Sequence, residues 1–415
     1  GADDLARQAS DVAAEKTGRM FLKRIDARVS VDPLLALRPY AMKSKDTDGR
    51  MYDEPKHDLR TCYQRDRDRV VHCEAFRKLE YKTQVFVVFE GDYYRTRLTH
   101  TIEVAQIART IGRALQLNED LIEAIALAHD LGHPPFGHAG EGALNEIMKS
   151  AKVPGFNHNV RSFEIVTKYE KRYPDFDGLN LTEEVLVGIL KHHTIYDKPG
   201  IAGAYANKGQ TFEALVVDIA DSLAYLSHDI DDGITSGCIS EDDLADSQLW
   251  RKAYQRVDPS LNSKDKQMFK YQIVKALIDI QMKDLLVTSS QRLEQLNLKS
   301  SRAVKDHNLK NPANPVIDFS PALKEERDYL QAVLNKKLYH HYRVVRMTGK
   351  ANRIIHDLFE VYKENPTQLP YSVYQRDKHY SDTEKYEVIG NYIASMTDRF
   401  ALDEHKKLFD PYQKV

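Results

Sequence analysis

The stretch LAHDLGHPPFGHAGE, Leu127 to Glu141, places His129, His133 and His138 within ten residues, with Asp130 directly after the first of them. Imidazole nitrogens and carboxylate oxygens are donors that borderline divalent metals take. Neighbouring helical residues point about 100° apart, so His129 and Asp130 converge on an ion that sits against a helix end. Two ligands hold an ion poorly. His100, early in one apolar stretch, and Asp221, in IADSLAY, supply a third and a fourth. A single buried His or Asp is ordinarily a satisfied core group. The order H…HD…D, each member in an apolar helical run, is far more specific. Four protein ligands leave room at a six-coordinate ion for water and a phosphate oxygen. The mixed donors suit manganese, iron, cobalt, nickel or zinc better than calcium. Manganese is the leading candidate, with magnesium a further alternative. Two more spacings bear on such a site. Arg97 lies three residues, about one turn, before His100. Asp221, Tyr225 and Asp229 recur at every fourth position and form one helical stripe.

These residues need helices to hold them. TRLTHTIEVAQIARTIGRALQL carries Ile102, Ala105, Ile107, Ala108, Ile111 and Leu115 near a 3.6-residue period. NEDLIEAIALAHDLGH opens on an Asn-Glu-Asp cap signal at 118–120 and is expected to run as a buried helix to near Gly132. Pro134 and Pro135 cannot continue it. LTEEVLVGILKHHT opens on Thr182 followed by glutamates, a weak relative of a capping box. TFEALVVDIADSLAYLSHDIDDGI reads as a long amphipathic helix, and 243–300 and 320–365 also favour helices. TQVFVVF at 83–89 is the best of few strand-like runs. The expected fold class is all-α. The expected organisation is a partly irregular 1–60, a core at 61–242, and a C-terminal helical region at 243–415.

Composition limits the alternatives. With 42% hydrophobic and 29% charged residues, the 415-residue chain has material for a sizeable core. A net charge of −2 argues against wholesale nucleic-acid coating. Cys62, Cys73 and Cys238 form no CxxC pair, so neither a disulfide framework nor a thiolate zinc site is indicated. No apolar run reaches the roughly 18 residues of a membrane helix, and no signal peptide is visible. A reducing cytoplasm is the simplest compartment.

RDRDRVVHCEAFRKLEYKTQVF, EGDYYRTRLTHTIEVAQIART, NEDLIEAIALAHDLGHPPFGHAGE, GFNHNVRSFEIV, KHHTIYDKP and YIASMTDRFAL lie within about residues 40–400. Together they resemble the HD-domain deoxynucleoside triphosphate triphosphohydrolases. That resemblance implies an all-α HD fold. It implies one metal on His100, His129, Asp130 and Asp221. It also implies dimer-based homo-oligomers, up to hexamers. The implied reaction breaks the bond between the α-phosphate and the 5′ oxygen, and releases tripolyphosphate. His133 and Glu141 take the positions of a catalytic pair in which the carboxylate orients the imidazole. His138 and His158 resemble residues lining the phosphate path, and Arg97 a phosphate-contacting arginine. Tyr225 matches a tyrosine packed against the sugar 2′ carbon, with Asp229 further along the stripe. Gln84 resembles a glutamine at the 3′ hydroxyl. Asp398 and Arg399 resemble the segment that closes over the nucleotide. Some relatives respond to single-stranded DNA or a second dNTP. HHYRVVRMTGK at 340–350 offers cations and an aromatic for either, or is a solvated helix face.

The base pocket is not legible, so the expected substrate is a dNTP with dGTP leading. The rivals are another HD phosphohydrolase, such as a nucleotidase or a guanosine tetraphosphate hydrolase, and a nucleotide sensor without turnover. A nucleic-acid-binding scaffold fits the near-neutral charge less well.

Overall fold

The computed structural model describes residue 20 and residues 37–84, 95–193 and 203–414. Among these residues the chain is helical. Its only extended pairings are isolated bridges, Arg50 with Thr182, Thr83 with Thr96 and Lys171 with Gly178. The all-α expectation holds. Of the strand-like run at 83–89, only Thr83 and Gln84 lie within the described residues.

Both helices with a cap signal start where the signal places them, but only one of the two signal residues caps through its side chain. Helix Glu119–Ala128 is preceded by Asn118, whose Oδ1 accepts the Leu121 amide at 3.4 Å. Thr182 precedes helix Glu183–Leu190 but makes no side-chain cap. Its hydroxyl donates to Asp66 at 2.6 Å, and its amide donates to the same carboxylate at 2.9 Å. A fully buried aspartate needs those donors, and the hydroxyl goes to it rather than to the helix.

Helix Glu119–Ala128 also stops earlier than Gly132. The chain winds instead through tight turns, with the Leu131 amide on Ala128 O and the His133 amide on Asp130 O. A Cβ at Gly132 would stand 2.1 Å from His158 O and 2.4 Å from Ser162 N. Gly132 thus lets this turn lie flush against helix His158–Glu164.

By its contacts the chain divides into two units. Unit one comprises residues 1–47, 104–123 and 207–334. Its helix Lys266–Leu296 packs on Phe212–Thr235 and on Gln248–Tyr254. Phe212–Thr235 was expected to be amphipathic, yet it is buried on nearly every side. Several of its polar residues are matched inside unit one. Lys270 Nζ pairs with Asp231 at 2.7 Å, Gln210 donates to Asp218, and Arg327 donates to Ser222. Glu213 accepts the amides of Met42 and Asn118.

Unit two comprises residues 48–103, 124–206 and 335–415. Its apolar core joins helix Gly137–Ser150 to the C-terminal helices Tyr342–Glu364 and Asp382–Ala394. Leu144 and Ile147 meet Ile355, Leu358, Phe359 and Ile393 there. Each such side chain contributes roughly 1.5–3 kcal/mol by leaving water. The helix that follows the His-rich turn is therefore seated on the C-terminal helices. Among the described residues, no helix is long and apolar enough to cross a membrane.

Candidate functional site

The His-rich turn enters helix Gly137–Ser150 through two left-handed residues, Phe136 (φ 64°) and Gly137 (φ 58°). Glycine adopts that conformation freely, whereas phenylalanine does so at a cost of order 1 kcal/mol. Asp398 Oδ1 holds the strained residue by accepting the Phe136 amide at 2.9 Å. A Cβ at Gly137 would meet Arg97 Nη2 at 3.2 Å and Thr83 O at 3.3 Å, so this backbone packs closely on both. Ser162 ties the earlier part of the turn. Its hydroxyl donates to His129 O at 2.9 Å and accepts the Gly132 amide at 2.8 Å.

His129 Nδ1 donates to Ala126 O at 2.7 Å. A carbonyl can only accept, so the proton sits on Nδ1 and Nε2 carries the lone pair. That is the tautomer a metal-binding imidazole needs. His129 Nε2 lies 3.4 Å from Asp130 Oδ1, so the donors of the HD pair converge. The His100 ring centre is 6.4 Å from that of His129, and both residues are buried. These residues fit a divalent ion. Asp221 lies on helix Phe212–Thr235 of unit one, where it is buried in one stripe with Tyr225 and Asp229, as its spacing predicts.

Asp130 is the electrostatic centre of unit two's cluster. Arg97 Nη1 donates to its Oδ2 at 2.9 Å, and His133 Nδ1 sits 3.2 Å from its Oδ1. Burial would raise the Asp130 pKa, but His129, His133 and Arg97 hold it well below the usual carboxylate value. Burial, with the Arg97 and His158 charges, pushes His133 down to about 3, so this imidazole is neutral at ordinary pH.

Glu141 was expected to orient His133. Instead it faces His158. His158 Nδ1 stands 3.0 and 3.1 Å from the two Glu141 oxygens, and the His158 amide donates to Oε1 at 2.9 Å. His158 opens helix His158–Glu164, and an N-terminal amide at a helix start lacks an intrahelical acceptor. A carboxylate is a natural partner for it. Burial acts against the ionised Glu141, but His158 and His138 keep its pKa well below the usual value. His138 Nδ1 stands 3.7 Å from Glu141. The His133 and His158 rings meet at a 34° tilt with centres 3.8 Å apart. A continuous file results, running Arg97, Asp130, His133, His158, Glu141. Ligand-type atoms of Asp130, His133 and His158 lie within 4.8 Å of one another, as do those of His133, His138 and Glu141.

Three expected substrate contacts sit differently from one another. Gln84 is buried, and its Oε1 has no hydrogen-bond partner among the described residues. Asp398, expected to close over the nucleotide, has both oxygens engaged by protein. Oδ2 accepts from the Thr83 amide and hydroxyl, and Oδ1 from Phe136. Its role here is to hold backbone. Arg399 is 78% exposed beside Asp403, and among the described residues no contact brings it to the file. Two further buried residues border this cluster. The His192 ring lies tilted against that of His129 with centres 4.8 Å apart, and Lys82 donates to His133 O at 2.6 Å. Both sit inside stretches that carry the resemblance, KHHTIYDKP and EYKTQVF, but nothing in their local spacing marks them.

Comparison with known proteins identifies the family of the chain. Residues 97–237 match the HD domain and residues 317–407 the phosphohydrolase-associated domain. A deoxyguanosinetriphosphate triphosphohydrolase-like protein of Geobacter metallireducens is 48% identical over 381 residues, 91% of this chain and 96% of the relative. A protein of the same description from Geobacter sulfurreducens is 45% identical over 403 residues, 97% of this chain and all of the relative. Another, from Ralstonia nicotianae, is 44% identical over 377 residues, 90% of this chain and 94% of the relative. The HD motif, the helical fold and near full-length identity together place the chain in the HD-domain deoxynucleoside triphosphate triphosphohydrolase family, among its deoxyguanosinetriphosphate triphosphohydrolase-like members.

Proposed function

We propose that this protein hydrolyses deoxynucleoside triphosphates, dGTP foremost, to the deoxynucleoside and tripolyphosphate, with one divalent metal. The observation that carries the reading is the buried file from Arg97 through Asp130, His133 and His158 to Glu141. Catalytic imidazoles backed by carboxylates, next to a buried arginine, are what cleavage of a phosphate ester requires. The description of the relatives as deoxyguanosinetriphosphate triphosphohydrolase-like suggests the substrate class.

His100, His129 and Asp130 would hold the ion, and Asp221 joins them on the order of the motif along the chain. Manganese leads among the candidate ions on the donor types. When bound, such an ion polarises a phosphoryl oxygen and lowers the pKa of its water. The chain's own residues do the rest. Arg97 has two further donors, Nε and Nη2, without hydrogen-bond partners among the described residues, and these suit the α-phosphate oxygens. Attack of water at the α-phosphorus breaks the bond to the 5′ oxygen. The proton that water loses must reach that leaving oxygen. Neutral His133 can take it, and the adjoining His158 and His138 offer the onward route. Glu141 holds His158 with its Nδ1 committed, so Nε2 does the exchanging. Tyr225 is assigned the sugar 2′ position and Gln84 the 3′ hydroxyl. The assembly is assigned as a dimer-based homo-oligomer in the cytoplasm.

Incubation with each dNTP and with GTP, across several divalent ions, tests the reading when products are separated by chromatography. Tripolyphosphate with deoxynucleoside supports it. Orthophosphate or pyrophosphate points to another HD phosphohydrolase. Tight dNTP binding without any product points to a sensor.

A further inference from the structure

Lys82 takes no part in the chemistry above, yet it is 3% exposed, among the most buried charged side chains of unit two. Its Nζ donates to His133 O at 2.6 Å and to Ala394 O at 3.2 Å. The adjacent Thr83 donates through amide and hydroxyl to Asp398, whose other oxygen accepts the Phe136 amide. One short segment, 82–83, thus joins two places. The first is the turn carrying His133. The second is the junction between helices Asp382–Ala394 and Asp398–Phe409.

Burying an ammonium is expensive. Burial, assisted by the Arg161 and Lys78 charges, pushes Lys82 down to about 7, which registers that cost. A methionine of similar length would fill the space without it. What methionine cannot do is bond two carbonyls from segments more than 250 residues apart, His133 and Ala394. The turn needs such a hold, because Phe136 is kept in a left-handed conformation that its own side chain disfavours.

We propose that Lys82 and Asp398 form a clasp through which the C-terminal helices position the His133 turn for catalysis. Lys82 and Asp398 are positioning residues in this assignment, and the catalytic part of it rests on the reading of His133 given above. The clasp acts on kcat and not on KM, since it sets where His133 stands without touching substrate.

Lys82→Met, Lys82→Arg and Thr83→Val in the full chain test it. The measurements are thermal midpoint, bound manganese, dGTP kinetics and amide hydrogen exchange of the segment 131–140 beside a reference segment in helix Lys266–Leu296. Loss of these bonds corresponds to a change of about tenfold. The expected result for Lys82→Met is exchange at 131–140 about tenfold faster with the reference segment unchanged. Its kcat should be about tenfold lower, with KM within about threefold and manganese retained. Lys82→Arg should recover part of the loss. If Lys82→Met does not fold, Thr83→Val carries the test, because it removes only a hydroxyl at nearly constant volume. Unchanged exchange at 131–140 with unchanged kcat overturns the clasp. So does faster exchange in both segments with a lowered midpoint, which marks Lys82 as general scaffolding. If the parent protein turns over no dNTP, the functional reading fails by itself, and the exchange at 131–140 still decides whether the clasp exists.

Discussion

His133 is neutral, buried and flanked by Asp130 and His158. Replacing it with alanine is expected to lower turnover by about 10²–10⁴-fold, the usual cost of losing a general acid or base, while bound metal by elemental analysis stays constant. Turnover within about threefold of the parent would make His133 a structural residue. Glu141→Gln is expected to fall in the same range for a different reason, the loss of the carboxylate that fixes His158. Here pH gives a second check. The Glu141 pKa is depressed, so its stabilising effect is present above the ordinary carboxylate range and is lost only as pH falls through the depressed value. The gap in thermal midpoint between Glu141→Gln and the parent should therefore close on strong acidification. Asp221→Ala is expected to lose both metal and activity, and full occupancy with normal turnover would remove it from the ligand set. Tyr225→Ala should shift the ratio of kcat/KM for GTP to that for dGTP upward by roughly ten- to two-hundred-fold, with metal in place. An unmoved ratio would show that Tyr225 is not the sugar gate.

At the level of elements, the packing of the His-rich turn on helix His158–Glu164 is the most sensitive contact described. Gly132→Ala would drive a Cβ into His158 O and Ser162 N, which are backbone atoms that cannot rotate away. We expect a stability loss of about 1–3 kcal/mol, read by thermal denaturation, together with lower turnover as His158 moves. An unchanged midpoint would mean that the turn lies less close than 2.1 Å implies. This contact also shows where reading the sequence succeeds and stops. Helix Arg97–Leu115 and the Asn118 cap follow from period and local chemistry. The HD pair at a helix end follows as well. The partner of Glu141 does not, because His158 is 17 residues away and is brought to it by packing of separate helices. Thr182 bonds Asp66 rather than its own helix for the same reason, across 116 residues. Lys82 and His192 look unremarkable until the carbonyl and the ring they meet are known. The motif types chosen for chemistry were legible; which carboxylate serves which histidine was not.

For the whole molecule, light scattering at micromolar concentration is expected to give a multiple of the 47.7 kDa chain mass, with or without nucleotide. A mass equal to one chain would count against the dimer-based assembly. The clasp adds an expectation at this scale too, since changes to the C-terminal helices of unit two should register in kcat. The interleaving of the two units has a further consequence, for synthesis. The chain passes from one unit to the other after residues 47, 103, 123, 206 and 334. When the ribosome has made residues 1–242, every residue assigned to the metal is already in the nascent chain. Unit one still lacks 243–334, however, and unit two lacks 335–415. The apolar faces of Leu144 and Ile147 wait on Ile355, Phe359 and Ile393 for their cover. Unit one has all its residues once position 334 is made, whereas unit two waits for 335–415, so unit two is the later of the two to fold. A chain cut off after residue 334 carries the full metal-binding motif but lacks the helices that complete unit two.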